Sequence, residues 1–206
     1  SETFKNRKEN KVKLWDIDKK MSAWWTPLRS EKKYWWWEIP WYSSWELNDL
    51  FTKESKEFIT EIWLNNTSAK LFKEWTLFIW MYDTAAMKMS ISIKDSSCNQ
   101  AIVWFFPNKE ISNIFYIRYC LIFMKKEILL ERQWVRQQNL NLTKVKNIQI
   151  PLPPLPKQKE IVSYLDEVFE KNKVIKEWYE KKLEELEEMK QSILKEAFEG
   201  RLVTGE

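Results

Sequence analysis

Apolar residues recur every three or four positions along the last quarter of the chain. Ile161, Leu165, Val168, Ile175, Tyr179, Leu183, Leu186, Met189 and Ile193 form one stripe, with the polar Asn172 inside it. No Gly or Pro interrupts residues 157–198, and Gly200 follows as a stop signal. The spacing is heptad-like and predicts a helix that packs along its length on another helix. Glu180, Glu184, Glu187 and Glu188 fall outside the stripe, with Lys181, Lys182 and Lys190. At about 1.5 Å per residue the rod is roughly 60 Å long. That is too long to bury its stripe on the body formed by residues 1–150. A second long helix is expected, in a partner chain or a second copy. A surface helix laid on its own domain is the plainer alternative. Asn172 would cost stability and fix register.

The preceding residues are patterned differently. Thr76-Leu77-Phe78-Ile79 and Ala101-Ile102-Val103 predict buried strands, and Met89-Ser90-Ile91-Ser92-Ile93 alternates as a half-buried one. Asp95-Ser96-Ser97 predicts a turn. Residues 111–132 predict a helix with Lys125, Lys126 and Arg132 toward its C-terminus, where cations are favoured. The fold class is therefore α+β: a mixed globular domain, then a long helix. Four of the seven prolines sit in Ile150-Pro151-Leu152-Pro153-Pro154-Leu155-Pro156. Proline fixes φ and extends the residue before it, so this stretch predicts a stiff connector. It also matches a PxxP ligand, although Leu152 and Leu155 suit packing on the chain's own domain. The expected division is 1–150 globular, 151–156 hinge and 157–206 helix.

Charge sharpens that division. The 206 residues carry 34 Lys+Arg and 30 Asp+Glu, net +4. Residues 157–206 hold 10 basic and 13 acidic residues, net −3, which leaves 24 and 17, net +7, for residues 1–156. A basic body beside an acidic rod fits a nucleic-acid face on the body alone. With no His, the chain has no His base, His-ligated metal or Ser-His-Asp triad. Cys98 and Cys120 exclude a disulfide framework and predict two buried thiols in a reducing compartment. No signal-peptide pattern is present, and the apolar run near residues 114–124 is short and broken by Arg118. A soluble, cytoplasmic protein is expected.

The candidate chemistry is recognition, not catalysis. There is no Gly-rich phosphate loop, no GxSxG elbow, no metal-ligand cluster, and no base beside Ser43-Ser44. Arg132-Gln133-Trp134-Val135-Arg136-Gln137-Gln138-Asn139-Leu140-Asn141 is dense in side chains that pair bidentately with guanine and adenine edges. The candidates for base reading are Arg136, Gln137, Gln138, Asn139 and Asn141. Arg29, Lys32, Lys33, Lys144 and Lys146 are candidates for phosphate contact. Lys5, Arg7, Lys8, Lys11 and Lys13 form a further basic run, read as a solvated terminus.

The hinge Asn147-Ile148-Gln149-Ile150-Pro151-Leu152-Pro153-Pro154-Leu155-Pro156-Lys157-Gln158-Lys159-Glu160-Ile161-Val162 resembles the entry to the conserved helix of type I restriction-modification specificity subunits. Ser192-Ile193-Leu194-Lys195-Glu196-Ala197-Phe198-Glu199-Gly200-Arg201-Leu202 resembles its end. Ile39-Pro40-Trp41, Cys98-Asn99-Gln100-Ala101 and Gln138-Asn139-Leu140 resemble patches of the family's target recognition domain. The resemblance implies a non-catalytic subunit that reads half of a split double-stranded DNA target. Its helix sets the spacing and packs antiparallel on another, through Leu165, Val168, Asn172, Ile175, Tyr179, Leu183, Leu186 and Ile193. It implies a second specificity half-subunit, as a homodimer, and no membrane. It also implies a modification subunit that binds S-adenosylmethionine and methylates adenine, and a restriction subunit that uses ATP and Mg. This chain would hold no cofactor itself. The rival readings are a coiled-coil adaptor for protein, an aromatic platform for carbohydrate or single strands, and a complete methyltransferase, which would need a Gly-rich cofactor loop.

One departure concerns tryptophan. The chain has 14 Trp and 2 Gly, where glycine ordinarily supplies about 7% of residues. The family carries glycine in turns where this chain has Trp15, Trp24, Trp25, Trp36, Trp37, Trp45, Trp63, Trp75, Trp80, Trp104 and Trp134. Many of these are expected to stand in for glycine, by engineering or in the written sequence. As tryptophans they predict strained turns and exposed aromatic patches.

Overall fold

The computed structural model describes residues 11–22, 31, 34, 38–66, 70–82, 86–134 and 140–201, with side chains from 131 to 134 left aside. The chain divides into two units, Ser1–Lys159 and Glu160–Glu206.

Three small sheets build the first unit, among the described residues. β1 (Lys11–Lys13) pairs antiparallel with β8 (Gln149–Pro151). In the second sheet β2 (Ile39–Tyr42) lies between β3 (Glu57–Ile59), antiparallel, and β6 (Ser97–Cys98), parallel. In the third, β4 (Leu77–Trp80) lies between β5 (Met89–Ile91) and β7 (Ile102–Phe105), antiparallel to both. Short helices α1 (Leu14–Ile17), α2 (Glu61–Asn66) and α4 (Leu142–Asn147) connect these strands, with the longer α3 (Ile114–Trp134).

The strands at 77–80 and 102–105 arise where continuous apolar runs predict them. A central strand covered on both faces has no reason to alternate. Leu77, Phe78, Ile79, Ile102, Val103 and Phe105 are fully buried. Phe78 contacts the rings of Tyr42 and Phe72, with centroids 6.0 and 6.1 Å away. Two predictions shift. The 89–93 run alternates in sequence, yet Ser90 and Ser92 are as buried as Ile91, whereas Ile93, past the end of the strand, is exposed. Their hydroxyls donate to Asp49 O (2.6 Å) and Lys94 O (2.5 Å), so burial leaves neither unsatisfied. The chain bends at 93–95, two residues before the predicted turn, and Ser97–Cys98 is a strand.

Asn113 sets the start of α3. Its side-chain oxygen accepts from the N–H groups of Phe115 (2.9 Å) and Tyr116 (3.2 Å), as a helix cap does. Tyr116 then donates its hydroxyl to Pro151 O (3.0 Å), which ties α3 to β8. Gln158 is fully buried. It accepts from Asn113 N–H (2.8 Å) and donates to Ile111 O (2.9 Å) and Pro153 O (2.7 Å). The proline-rich stretch thus runs from β8 into the first turn of α5 (Leu155–Phe198), where Pro156 is tolerated. Neither Cys98 nor Cys120 is in a disulfide; Cys98 is buried, which pushes its thiol up, whereas Cys120 is only half-buried, against the expectation of two buried thiols.

The second unit is the rest of α5, a helix of 44 residues in all. Every residue from Phe169 to Gly200 is exposed. Ion pairs Lys171–Glu167 (2.5 Å), Lys176–Glu180 (3.5 Å) and Lys182–Glu185 (2.6 Å) join neighbouring turns. Such pairs support a helix by a few tenths of a kcal/mol each, about 0.2–0.5.

Candidate nucleic-acid interface

One corner of the first unit gathers positive charge. β1 runs directly into α1, and α4 packs on α1. Leu14 N–H donates to Ile148 O (3.0 Å), and Lys11 and Lys13 lie opposite Pro151 and Gln149. Lys11 and Lys13 of β1 and Lys19 and Lys20 just past α1 are exposed, Lys144 and Lys146 of α4 are half-buried, and Lys20 and Lys146 both act on the same carboxylate, Asp18. Asn141 caps α4: its side-chain oxygen accepts from Lys144 N–H (2.9 Å). The Lys146 ammonium sits 4.0 Å from the centre of the Trp15 ring, a cation–π contact that fixes its position.

The acid beside this corner is committed to structure. Asp18 is buried and accepts from Phe106 N–H (2.7 Å) and Lys20 N–H (2.9 Å). Burial raises its carboxyl above the ordinary aspartate range, while those two bonds and the charges of Lys20 and Lys146 pull it back. Asp16 is exposed and tempers the positive field.

Of the residues predicted to read DNA, Asn141, Lys144 and Lys146 lie together on this corner. Arg29, Lys32, Lys33, Arg136, Gln137, Gln138 and Asn139 lie outside the described residues. Sequence reasoning took Lys11 and Lys13 for a solvated end and passed over Lys19 and Lys20. The alternating Lys-Val-Lys was the available signal for a strand with both lysines on one face. Asn141 as a cap was also legible, since Asn is favoured there.

On the rod, Leu165 and Val168 are half-buried, whereas Asn172, Ile175, Tyr179, Leu183, Leu186 and Ile193 are exposed. Leu183 is 66% exposed and Leu186 56%. A stripe of this length open to solvent is far from what a lone soluble domain presents. Among the described residues no group of three or more His, Cys, Asp or Glu could hold a metal ion. No helix among them is long and apolar enough to cross a membrane.

Fold and charge together define a class: a basic α+β domain whose last helix continues as a charged rod with an apolar seam. Residues 10–188 match the type I restriction modification DNA specificity domain, and the chain belongs to that family. Among solved structures it is similar to a chain described for the structural basis of complex assembly and conformational transition of the type I R-M system. That chain is 21% identical, with a TM-score of 0.72 over 93% of this chain and 46% of that one. It is likewise similar to the HsdS subunit from Thermoanaerobacter tengcongensis (21% identity, TM-score 0.65, 93% and 45% covered). The S subunit of the type I restriction-modification system from M. genitalium is more distant (15%, 0.55, 90% and 44%). These likenesses establish the shared fold. The chain spans less than half the length of these solved relatives.

Proposed function

We propose that this chain is the DNA-reading half of a type I restriction-modification specificity subunit, non-catalytic in itself. The body recognises one half of a split double-stranded target. The rod packs antiparallel on a second long helix that carries the other half-site reader, in a homodimer or on a different half. The observation that carries this reading is the apolar seam of α5, exposed from Ile175 to Ile193 on a chain of the specificity-domain family. A seam of that kind specifies a helical partner of matching length. The lysine corner supplies phosphate contacts, and residues 136–139 and Asn141 supply base contacts. A modification subunit with S-adenosylmethionine methylates adenine on this scaffold, and a restriction subunit with ATP and Mg completes the complex in the cytoplasm. The chain itself needs no cofactor for recognition.

The test is co-expression with the cognate modification subunit, followed by mapping of new methyladenine in the host genome. A split palindromic motif supports a homodimer that reads one half-site twice. An asymmetric split motif supports a different partner half. Absence of new methylation while the two proteins co-purify would reject DNA reading by this chain. A coiled-coil adaptor would bind protein and show no steep loss of DNA affinity with salt.

A further inference from the structure

We propose that positions 75 and 80 are glycine in the functional protein.

Backbone geometry carries the argument at position 75. Trp75 has φ +64°, in the left-handed region, where a bulky side chain is an outlier and glycine is at no disadvantage. The surroundings impose that conformation from several sides. Asp95 accepts from Glu74 N–H (3.0 Å) and from the Lys73 ammonium (2.6 Å). Thr76 donates its hydroxyl to Lys73 O (2.6 Å), and Trp75 N–H donates to Ser92 O (2.8 Å). The turn into β4 is therefore fixed by its neighbours, and residue 75 must comply. The indole gains little in return. It is 39% exposed, and its ring contacts among the described residues are edge-on, to Phe51 and Phe115 at 6.1 and 6.3 Å.

Position 80 carries a different fault. Trp80 is buried, and its indole N–H has no hydrogen-bond partner among the described residues. Buried indoles ordinarily find one. By contrast, Trp104 donates to Ser22 (2.9 Å) and stacks on Phe72.

A single tryptic peptide, residues 74–88, contains both positions. Peptide fragmentation and intact mass of the protein purified from its own source decide the matter. Glycine at 75 and 80, with an intact mass below 25.3 kDa, is the expected result. Tryptophan at both, with the full 25.3 kDa, overturns the proposal. A second measurement uses recombinant chain. Trp75→Gly and Trp75→Ala both remove the ring, but only glycine relieves the backbone. Trp75→Gly is expected to melt roughly 2–8 °C above Trp75→Ala. Equal melting of the two variants overturns the assignment of a glycine position at 75.

Discussion

Residues 1–159 and residues 160–206 both space their apolar side chains regularly, yet they dispose of them in opposite ways. The body folds its strands so that Leu77, Phe78, Ile79 and Val103 are lost to solvent entirely. The rod leaves Ile175, Tyr179, Leu183 and Leu186 half exposed or more. Chain length explains the difference. Strands of three or four residues can turn back and cover one another. A straight helix of 44 residues cannot cover itself. Among the described residues the body covers its own strands, and the rod leaves an apolar seam that nothing within it covers. The net charges are also opposite in sign across this division, negative on the rod and positive on the body.

The two regions should respond to different measurements. The largest effect is expected on association. Leu183→Asp combined with Leu186→Asp should raise the dissociation constant of the rod assembly roughly 10²–10⁴-fold, each buried leucine contributing about 1.5–3 kcal/mol. Sedimentation would read it, and the thermal transition of the body should not move. The converse variant is Phe78→Ala, which removes a ring fully buried against Tyr42 and Phe72. It should cost the body about 3–5 kcal/mol in denaturant unfolding. An equal loss of rod association would break the distinction between the units. Smaller is the effect of Lys144→Ala or Lys146→Ala. Each should weaken DNA binding evenly across sequences and lower the salt slope by about 1. An altered sequence preference with an unchanged slope would assign the lysine to bases instead.

The smallest effect concerns pH and tests only the body. The hydrogen bond from Lys73, helped by Glu74 N–H, holds the Asp95 carboxyl below the ordinary aspartate range. Asp95 therefore binds its proton less tightly folded than unfolded. Its stabilisation is present above the ordinary aspartate pKa and fades as pH falls through the lowered value. Asp95→Asn should flatten that part of the acid limb of stability and cost about 0.5–1 kcal/mol at neutral pH. Asp18 has the opposite sign. Burial raises its pKa, so its own titration favours the fold at low pH and counts against it as pH rises through the raised value.

Sequence pattern revealed the elements that depend on neighbours in the chain. The rod, β4 and β7 follow from local periodicity and from continuous apolar runs. The strand at 89–91 was visible, but the burial of Ser90 and Ser92 was not, because their partners come from loops that no alternation encodes. The β1–β8 pairing joins residues about 140 positions apart through a three-residue strand with two lysines, so no local signal announces it. The same pairing converts Lys11 and Lys13 from a loose basic end into part of a corner with Lys146. Lys144 and Lys146 were legible as charges near an Arg/Gln/Asn-rich stretch. That stretch, at 135–139, lies outside the described residues, so the candidate base-reading set rests on its chemistry.

Gln158 has one further consequence. Its amide accepts from Asn113 N–H and donates to Ile111 O and Pro153 O, so one buried side chain of the first unit fastens the proline-rich stretch to the loop ahead of α3. A leucine in its place would keep the bulk of the side chain and leave two carbonyls and one N–H without that partner, which turns a latch into a filler.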